Sequence, residues 1–315
     1  MVRKKKGNPV HGWVVVDKPQ GVTSTQVVGA VRRTFEAQKA GHAGTLDPMA
    51  TGVLAVALGE ATKTVPFAME AEKTYRFTAR WGEARNTDDA EGQVTATSSN
   101  RPSKAEIEAA ILRFTGEIIQ VPPAFSAIRV EGERAYDLAR EGETPALEPR
   151  TVHVHAVRLL GLPDCDHAEF EMVCGKGTYV RAWVRDLALA LGTMGHVSAL
   201  RRTAVGGFCE KDAVPLETLR GFMHSPAAFE HLRPISTALD GIPALAVSGP
   251  DAVRLRQGNP ILMRANLFAR VADAFPETDD LQGLTVYCST QEGEPVALAA
   301  LEAGELRPFR VFNFG

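Results

Sequence analysis

The stretch GHAGTLDPMATG, residues 41–52, sets a carboxylate, Asp47, between glycines and a proline. Two uses fit that pattern. Asp before Pro is a common helix start, with Asp as N-cap and Pro in the first turn. A carboxylate near backbone N–H groups is also held in its charged form, and an ionised, metal-free carboxylate is what a nucleophile needs to be. Gly41, Gly44 and Gly52 leave room for a large substrate to approach the backbone. Arg181 and Arg185, at i and i+4, share one side of a helix and either clamp anions or face solvent. His42 is a ligand contact or a turn residue. Lys18, after Asp17, is a phosphate contact or half of a surface ion pair. Tyr75 reads as one more aromatic on a core face. His153 and His155 share a strand face, but no third ligand stands nearby, so they read as a solvated or core-edge pair sooner than a metal site. P-loop, GxSxG, HExxH and GxGxxG patterns are absent, which leaves carboxylate chemistry without nucleotide or metal. A glycosidase would need a second acid, and Glu60, the only one nearby in sequence, reads as a surface residue.

Regular elements must carry these side chains. Trp13–Val16 predicts a strand, followed by a helix over Ser24–Glu36 with a Thr23/Gln26 capping box. Val53–Leu58 predicts a second strand, and Thr74–Trp81 alternates as a half-buried one does. Ser103 and Glu106 cap another helix, for which Gly116 is the expected stop. Residues 118–150 show little periodicity and read as a long loop or insertion. Strands are predicted over Val152–Leu159 and Ala168–Val173, and a helix through Val180, Trp183, Val184, Leu187 and Leu191, stopped by Gly192. Beyond a boundary near Asp240-Gly241, short strands at 285–288, 295–301 and 307–312 predict a small β-rich module.

At 315 residues the chain has room for one large domain and a smaller one. An apolar run such as Val53–Leu58 is far short of the roughly 20 residues that span a bilayer. Four cysteines without a CxxC pair read as reduced thiols of a cytoplasmic protein. The net charge of −3 hides an uneven distribution: residues 1–40 balance at +6, residues 171–211 at +3 and residues 241–315 at −3. Two basic regions can converge on one face.

In order along the chain, WVVVDKPQGVTS (13–24), AGHAGTLDPMATGVLAVALGEATK (40–63), KTYRF (73–77), PPAFSAIRVEGERAYDLAREG (122–142), CGKGTYVRAWVRDLA (174–188) and HVSALRR (196–202) resemble the TruB-type tRNA pseudouridine synthases. The resemblance implies an α+β fold. A catalytic domain over residues 1–240 would hold a central mixed, mostly antiparallel sheet flanked by helices, with an RNA-contacting insertion at about 118–150. A small PUA-like β-barrel that binds RNA would follow over 241–315. The implied activity is isomerisation of the uridine at position 55, in the tRNA T arm, to pseudouridine, without cofactor or metal. Asp47 falls where the family has its nucleophile, Tyr75 where an aromatic stacks on the flipped base, and Arg181 where an arginine pairs with the aspartate and lowers its pKa. His42, Tyr179 and Leu200 fall at positions lining the flipped nucleotide. Lys18, Lys63, Lys176, Arg201 and Arg202 are expected phosphate contacts. The implied partner is the tRNA T stem-loop, with no membrane, no required protein partner and a monomeric enzyme. Two departures stand out: Arg85-Asn86-Thr87 replaces an expected Thr-Asp-Thr, and Phe125 stands where tyrosine is usual. The rival from another class is a non-catalytic tRNA-binding or folding chaperone on the same fold.

Overall fold

The computed structural model describes residues 7–126, 128–130, 133–134, 147–264 and 282–314. Part of the 118–150 segment therefore lies outside the described residues. The strands of the first region are β1 (Gly12–Lys18), β2 (Ala40–His42), β3 (Thr51–Leu58), β4 (Lys73–Trp81), β5 (Glu83–Arg85), β6 (Val94–Thr97), β7 (Gly116–Gln120), β8 (Arg129–Val130), β9 (Glu133–Arg134), β10 (Arg150–Gly161), β11 (His167–Cys174), β12 (Gly195–Val205), β13 (Phe208–Cys209) and β14 (Val214–Pro215). Ten of them form one sheet in the order β14-β1-β3-β12-β4-β11-β10-β7, with β2 beside β3 and β13 beside β12. It is mixed and mostly antiparallel; β1–β14 and β3–β12 are its parallel pairs.

The apolar runs of β1 and β3 follow from burial on both faces. Val14, Val16, Leu54 and Val56 join one core with helix α1 (Ser24–Thr34) and Phe77 and Phe170 of the sheet. Trp13, Val15, Val53 and Ala55 face a second core with Ala68 of α2 (Val65–Glu70), Ala238 and Leu239. Both capping boxes form, at Thr23/Gln26 and at Ser103/Glu106 of α3 (Lys104–Ile111). The latter helix ends before Gly116, in a short 3-10 turn, because Gly116 already opens β7. Helix α4 (Val180–Ala190) packs Trp183, Val184 and Leu187 into the first core, and Gly192 stops it at φ +69°.

The joint between β3 and β12 is only two residues long, Thr51 with Arg201 and Gly52 with Arg202. Only glycine fits there: Gly52 has φ +96°, and a Cβ would lie 2.2 Å from the Arg202 carbonyl oxygen.

The remaining strands, β15 (Ala244–Ala246), β16 (Ile261–Leu262), β17 (Thr285–Ser289), β18 (Pro295–Glu302) and β19 (Glu305–Val311), form a curled half-barrel in the order β15-β17-β18-β19-β16 with its own core. The β18–β19 turn places Ala303 and Gly304 at φ +48° and +78°, the two positive values that a tight right-twisted hairpin requires. This PUA-like tail sits on the first region: Tyr287, Leu298 and Phe312 join the Trp13 core. Lys63 Nζ donates to the Val311 carbonyl at 2.7 Å, and the Asn313 N–H donates to Glu60 Oε2 at 2.7 Å. Among the described residues no helix is long and apolar enough to cross a membrane.

Candidate active site

Asp47 lies in the loop between β2 and β3, and no helix follows it. Its carbonyl accepts from the Ala50 N–H at 3.1 Å, so Pro48 opens a tight turn instead of a first helical turn. The N-cap use of Asp47 is thereby excluded. The loop is held rigidly. Ser24 Oγ donates to the Leu46 carbonyl at 3.0 Å and accepts from the Leu46 N–H at 2.9 Å. The Pro48 carbonyl accepts from the Gly21 N–H at 2.8 Å and from Lys18 Nζ at 3.2 Å. With its backbone tied down, Asp47 keeps a carboxylate about a third exposed (35%).

Against it stands Arg181, whose side chain is almost fully buried, in the first turn of α4. Its Nε meets Asp47 Oδ2 at 2.9 Å, and its Nη1 lies 3.4 Å from Asp89 Oδ2. The guanidinium also donates to the Thr87 carbonyl at 2.7 Å and the Phe125 carbonyl at 2.9 Å. One planar fork thus serves four acceptors, which a point-charge ammonium could not do. Asp89 is a site residue that the sequence reading passed over. Its carboxylate is held by Thr87 Oγ1 at 2.6 Å and the Glu91 N–H at 3.1 Å, and it is buried. The departing Arg85-Asn86-Thr87 stretch closes this loop. Arg85 Nη1 donates to the Ala90 and Gly92 carbonyls at 3.1 and 2.9 Å, and Asn86 Oδ1 accepts from the Gln93 N–H at 2.8 Å.

Three aromatic or imidazole groups complete the surroundings. Tyr75, half-buried on β4, lies with its hydroxyl beside the Arg202 guanidinium. Tyr179 precedes α4, and Gln120 clamps its backbone by accepting from its N–H at 2.8 Å and donating to its carbonyl at 3.1 Å. His42 keeps a buried Nδ1 without a hydrogen-bond partner. Leu200, nearly buried on β12, lines a cavity of about 410 Å³ together with Met49, Thr51, Arg76 and Arg201, next to the Asp47 turn.

The expected phosphate contacts divide. Lys18 is buried, with Nζ donating to the carbonyls of Pro19, Val22 and Pro48 at 3.0, 2.6 and 3.2 Å. Arg202 is buried too, with Nε donating to the Val53 carbonyl at 2.9 Å and Nη2 to the Gly44 carbonyl at 3.0 Å. Both cations are spent on backbone carbonyls and brace the loops around Asp47. Arg201 forks onto Asp17 at 2.9 and 3.1 Å and also meets Glu210. Lys63 serves the tail, and exposed Lys176 pairs with Glu70 at 2.5 Å. Glu60, weighed as a second acid, faces Lys63 and Asn313 instead of Asp47. Asp89 does share Arg181 with Asp47, but both its oxygens are engaged, Oδ1 by Thr87 and the Glu91 N–H and Oδ2 by Arg181. The His153 and His155 rings lie 4.3 Å apart, tilted by 47°, and His155 meets Glu72 at 3.0 Å. Among the described residues no group of three or more His, Cys, Asp or Glu could hold a metal ion.

Electrostatics correct one expectation. Burial pushes the Asp47 carboxyl above the ordinary range; Arg181 pulls it down without reversing the shift, and Asp89 adds to the rise. A group that acts as a carboxylate loses that form as pH falls through its pKa. The acid limb of kcat/KM should therefore lie above the ~3.9 of an unperturbed aspartate. A pH–rate profile checks this, and a limb at or below that value would contradict the shift.

Comparison with known proteins shows the family. The TruB family pseudouridylate synthase N-terminal domain profile matches residues 32–180, and the tRNA pseudouridylate synthase B C-terminal domain profile matches residues 181–240. A protein of a Caulobacter species named tRNA pseudouridine synthase B is 54% identical over 314 residues, covering 99% of both chains. One of the same name from Dinoroseobacter shibae is 52% identical over 315 residues, covering all of this chain and 99% of its own. Among solved structures, a chain from "Structure of H/ACA RNP bound to a substrate RNA containing 2'-deoxyuridine" superposes with a TM-score of 0.73 at 22% identity. It covers 99% of this chain and 92% of that one, a likeness of fold. With family profiles matching residues 32–180 and 181–240 and full-length identity above one half, the chain belongs to the TruB family of pseudouridylate synthases.

Proposed function

We propose that the protein isomerises the uridine at position 55 of the tRNA T arm to pseudouridine, with Asp47 as nucleophile. The carrying observation is the solvent-reachable Asp47 carboxylate held 2.9 Å from the buried Arg181 guanidinium. The name the relatives share supplies the substrate class, tRNA. In the reaction the bond from ribose to the base nitrogen breaks, and a bond from the same ribose carbon to a base carbon forms. The proton on that carbon is lost and the freed nitrogen gains one. Atoms balance within the nucleotide, so no cofactor has to supply any. An in-stack base is out of reach, so the uridine must be extruded, and the T loop is easier to splay than a duplex. The Tyr75 ring would receive the base, a stacking worth ~1–3 kcal/mol. His42, Tyr179 and Leu200 would line the nucleotide. In this reading the protein acts as a monomer in the cytoplasm. A tRNA chaperone without chemistry would have no use for a partly exposed carboxylate held against a buried guanidinium.

The test is incubation with unmodified tRNA, followed by carbodiimide-dependent reverse-transcription mapping. A new stop at position 55 is expected, also on an isolated T-arm stem-loop. No pseudouridine in either RNA would sink the reading.

A further inference from the structure

Asp88, next to the buried Asp89, has φ +58°, a left-handed conformation that few side-chain-bearing residues adopt unless their surroundings impose it. Three contacts impose it here. The Asp88 N–H donates to the Arg85 carbonyl at 3.0 Å, and the Val197 N–H donates to the Asp88 carbonyl at 3.1 Å. The third is ionic: Arg185 Nη1 meets Asp88 Oδ2 at 2.9 Å. Arg185 also donates from Nη2 to the Val121 carbonyl at 2.8 Å, and its Nε meets Asp186 at 2.8 Å.

The two arginines of α4 therefore work in parallel. Each reaches both the loop at 85–92 and the segment at 121–125: Arg181 through Thr87 and Phe125, Arg185 through Asp88 and Val121. Arg181 goes on to meet Asp47 and Asp89; Arg185 has no direct contact with Asp47 among those described. We infer that the Asp88–Arg185 pair is a positioning clamp for this site, resting on the reading that Asp47 is the nucleophile of uridine isomerisation. It holds residue 88 left-handed and so turns the Asp89 carboxylate toward Arg181, which then presents its Nε to Asp47. Relaxation of residue 88 to negative φ would rotate the peptide leading into Asp89 and swing that carboxylate off the guanidinium. Neither member of the clamp has to touch RNA.

The decisive comparison uses the full chain and a T-arm stem-loop RNA. D88A removes the carboxylate and disfavours the left-handed backbone; D88G removes the same carboxylate but adopts positive φ freely. The expected result is a kcat for D88A lowered about tenfold or more with KM within about twofold. D88G should recover at least several-fold of that loss. R185M should resemble D88A and should cost less on the D88G background than on the wild type, because the two residues act as one unit. A purely structural role would lower the melting temperature and leave kcat alone. Wild-type kcat in folded D88A or R185M, or a D88G no better than D88A, overturns the clamp. If R185M does not fold, the D88A–D88G comparison decides alone. A wild-type protein inactive on the RNA would instead overturn the functional reading, so the two failures are distinguishable.

Discussion

Asp47→Asn is expected to abolish pseudouridine formation, with a loss of about 10⁴-fold or more, some 5.4 kcal/mol in the barrier. The substitution is nearly isosteric. The amide oxygen can still accept from Arg181 Nε, and the loop stays pinned by Ser24, Lys18 and Gly21. Affinity for tRNA should therefore remain within a few fold. Stability should not fall either. The Asp47 carboxyl has a raised pKa in the folded state, so the fold binds that proton more tightly than the unfolded chain does. Its contribution is fullest below the unfolded pKa and is lost as pH rises through the folded one. At neutral pH removing the charge is neutral to mildly stabilising. Single-turnover assays, filter binding and thermal melts on one preparation test all three. Turnover by the variant at even 1% of wild type would reject the nucleophile role.

Arg181→Met is the second large effect, and its signature differs. It strips the guanidinium from two aspartates and two carbonyls at once. Breaking a buried ion pair from one side costs about 3–5 kcal/mol, because the partner charge is left uncompensated. A fall in stability of that order is expected, with at least a hundredfold loss of kcat. Because Arg181 lowers the Asp47 pKa, the acid limb of any residual activity should move to higher pH. Arg181→Lys should keep part of the stability but less of the rate, since one ammonium cannot reach all four acceptors. An unmoved acid limb in these variants would show that Arg181 does not govern Asp47.

Much of the frame was readable from residue patterns. The four-residue run at Trp13 and the Val53–Leu58 run announced strands, and the alternation at 74–81 announced a half-buried one. Thr23/Gln26 and Ser103/Glu106 declared their helix starts through side-chain acceptors placed three residues apart. What stayed hidden depends on distant neighbours. Asp-Pro suits a helix cap and a turn equally well, and the choice falls to β3, which claims the residues just beyond. Asp89 gains its meaning only from a guanidinium delivered by α4, and nothing in its own segment reveals that. The sign of the Asp47 shift turned on burial, which the spacing of residues does not disclose. Lys18 and Arg202 were expected at the surface because cations are rarely buried without partners; here backbone carbonyls are those partners.

The last point changes how a mutational scan of this protein should be interpreted. Replacing Lys18 or Arg202 by alanine would weaken RNA capture by letting the catalytic loop sag, and in a single-salt binding assay it would pass for a lost phosphate contact. Ionic strength separates the causes. A true phosphate contact, once removed, makes the dependence of log Kd on log salt shallower by about one. Loss of an internal strut weakens binding at every salt concentration and leaves that slope unchanged.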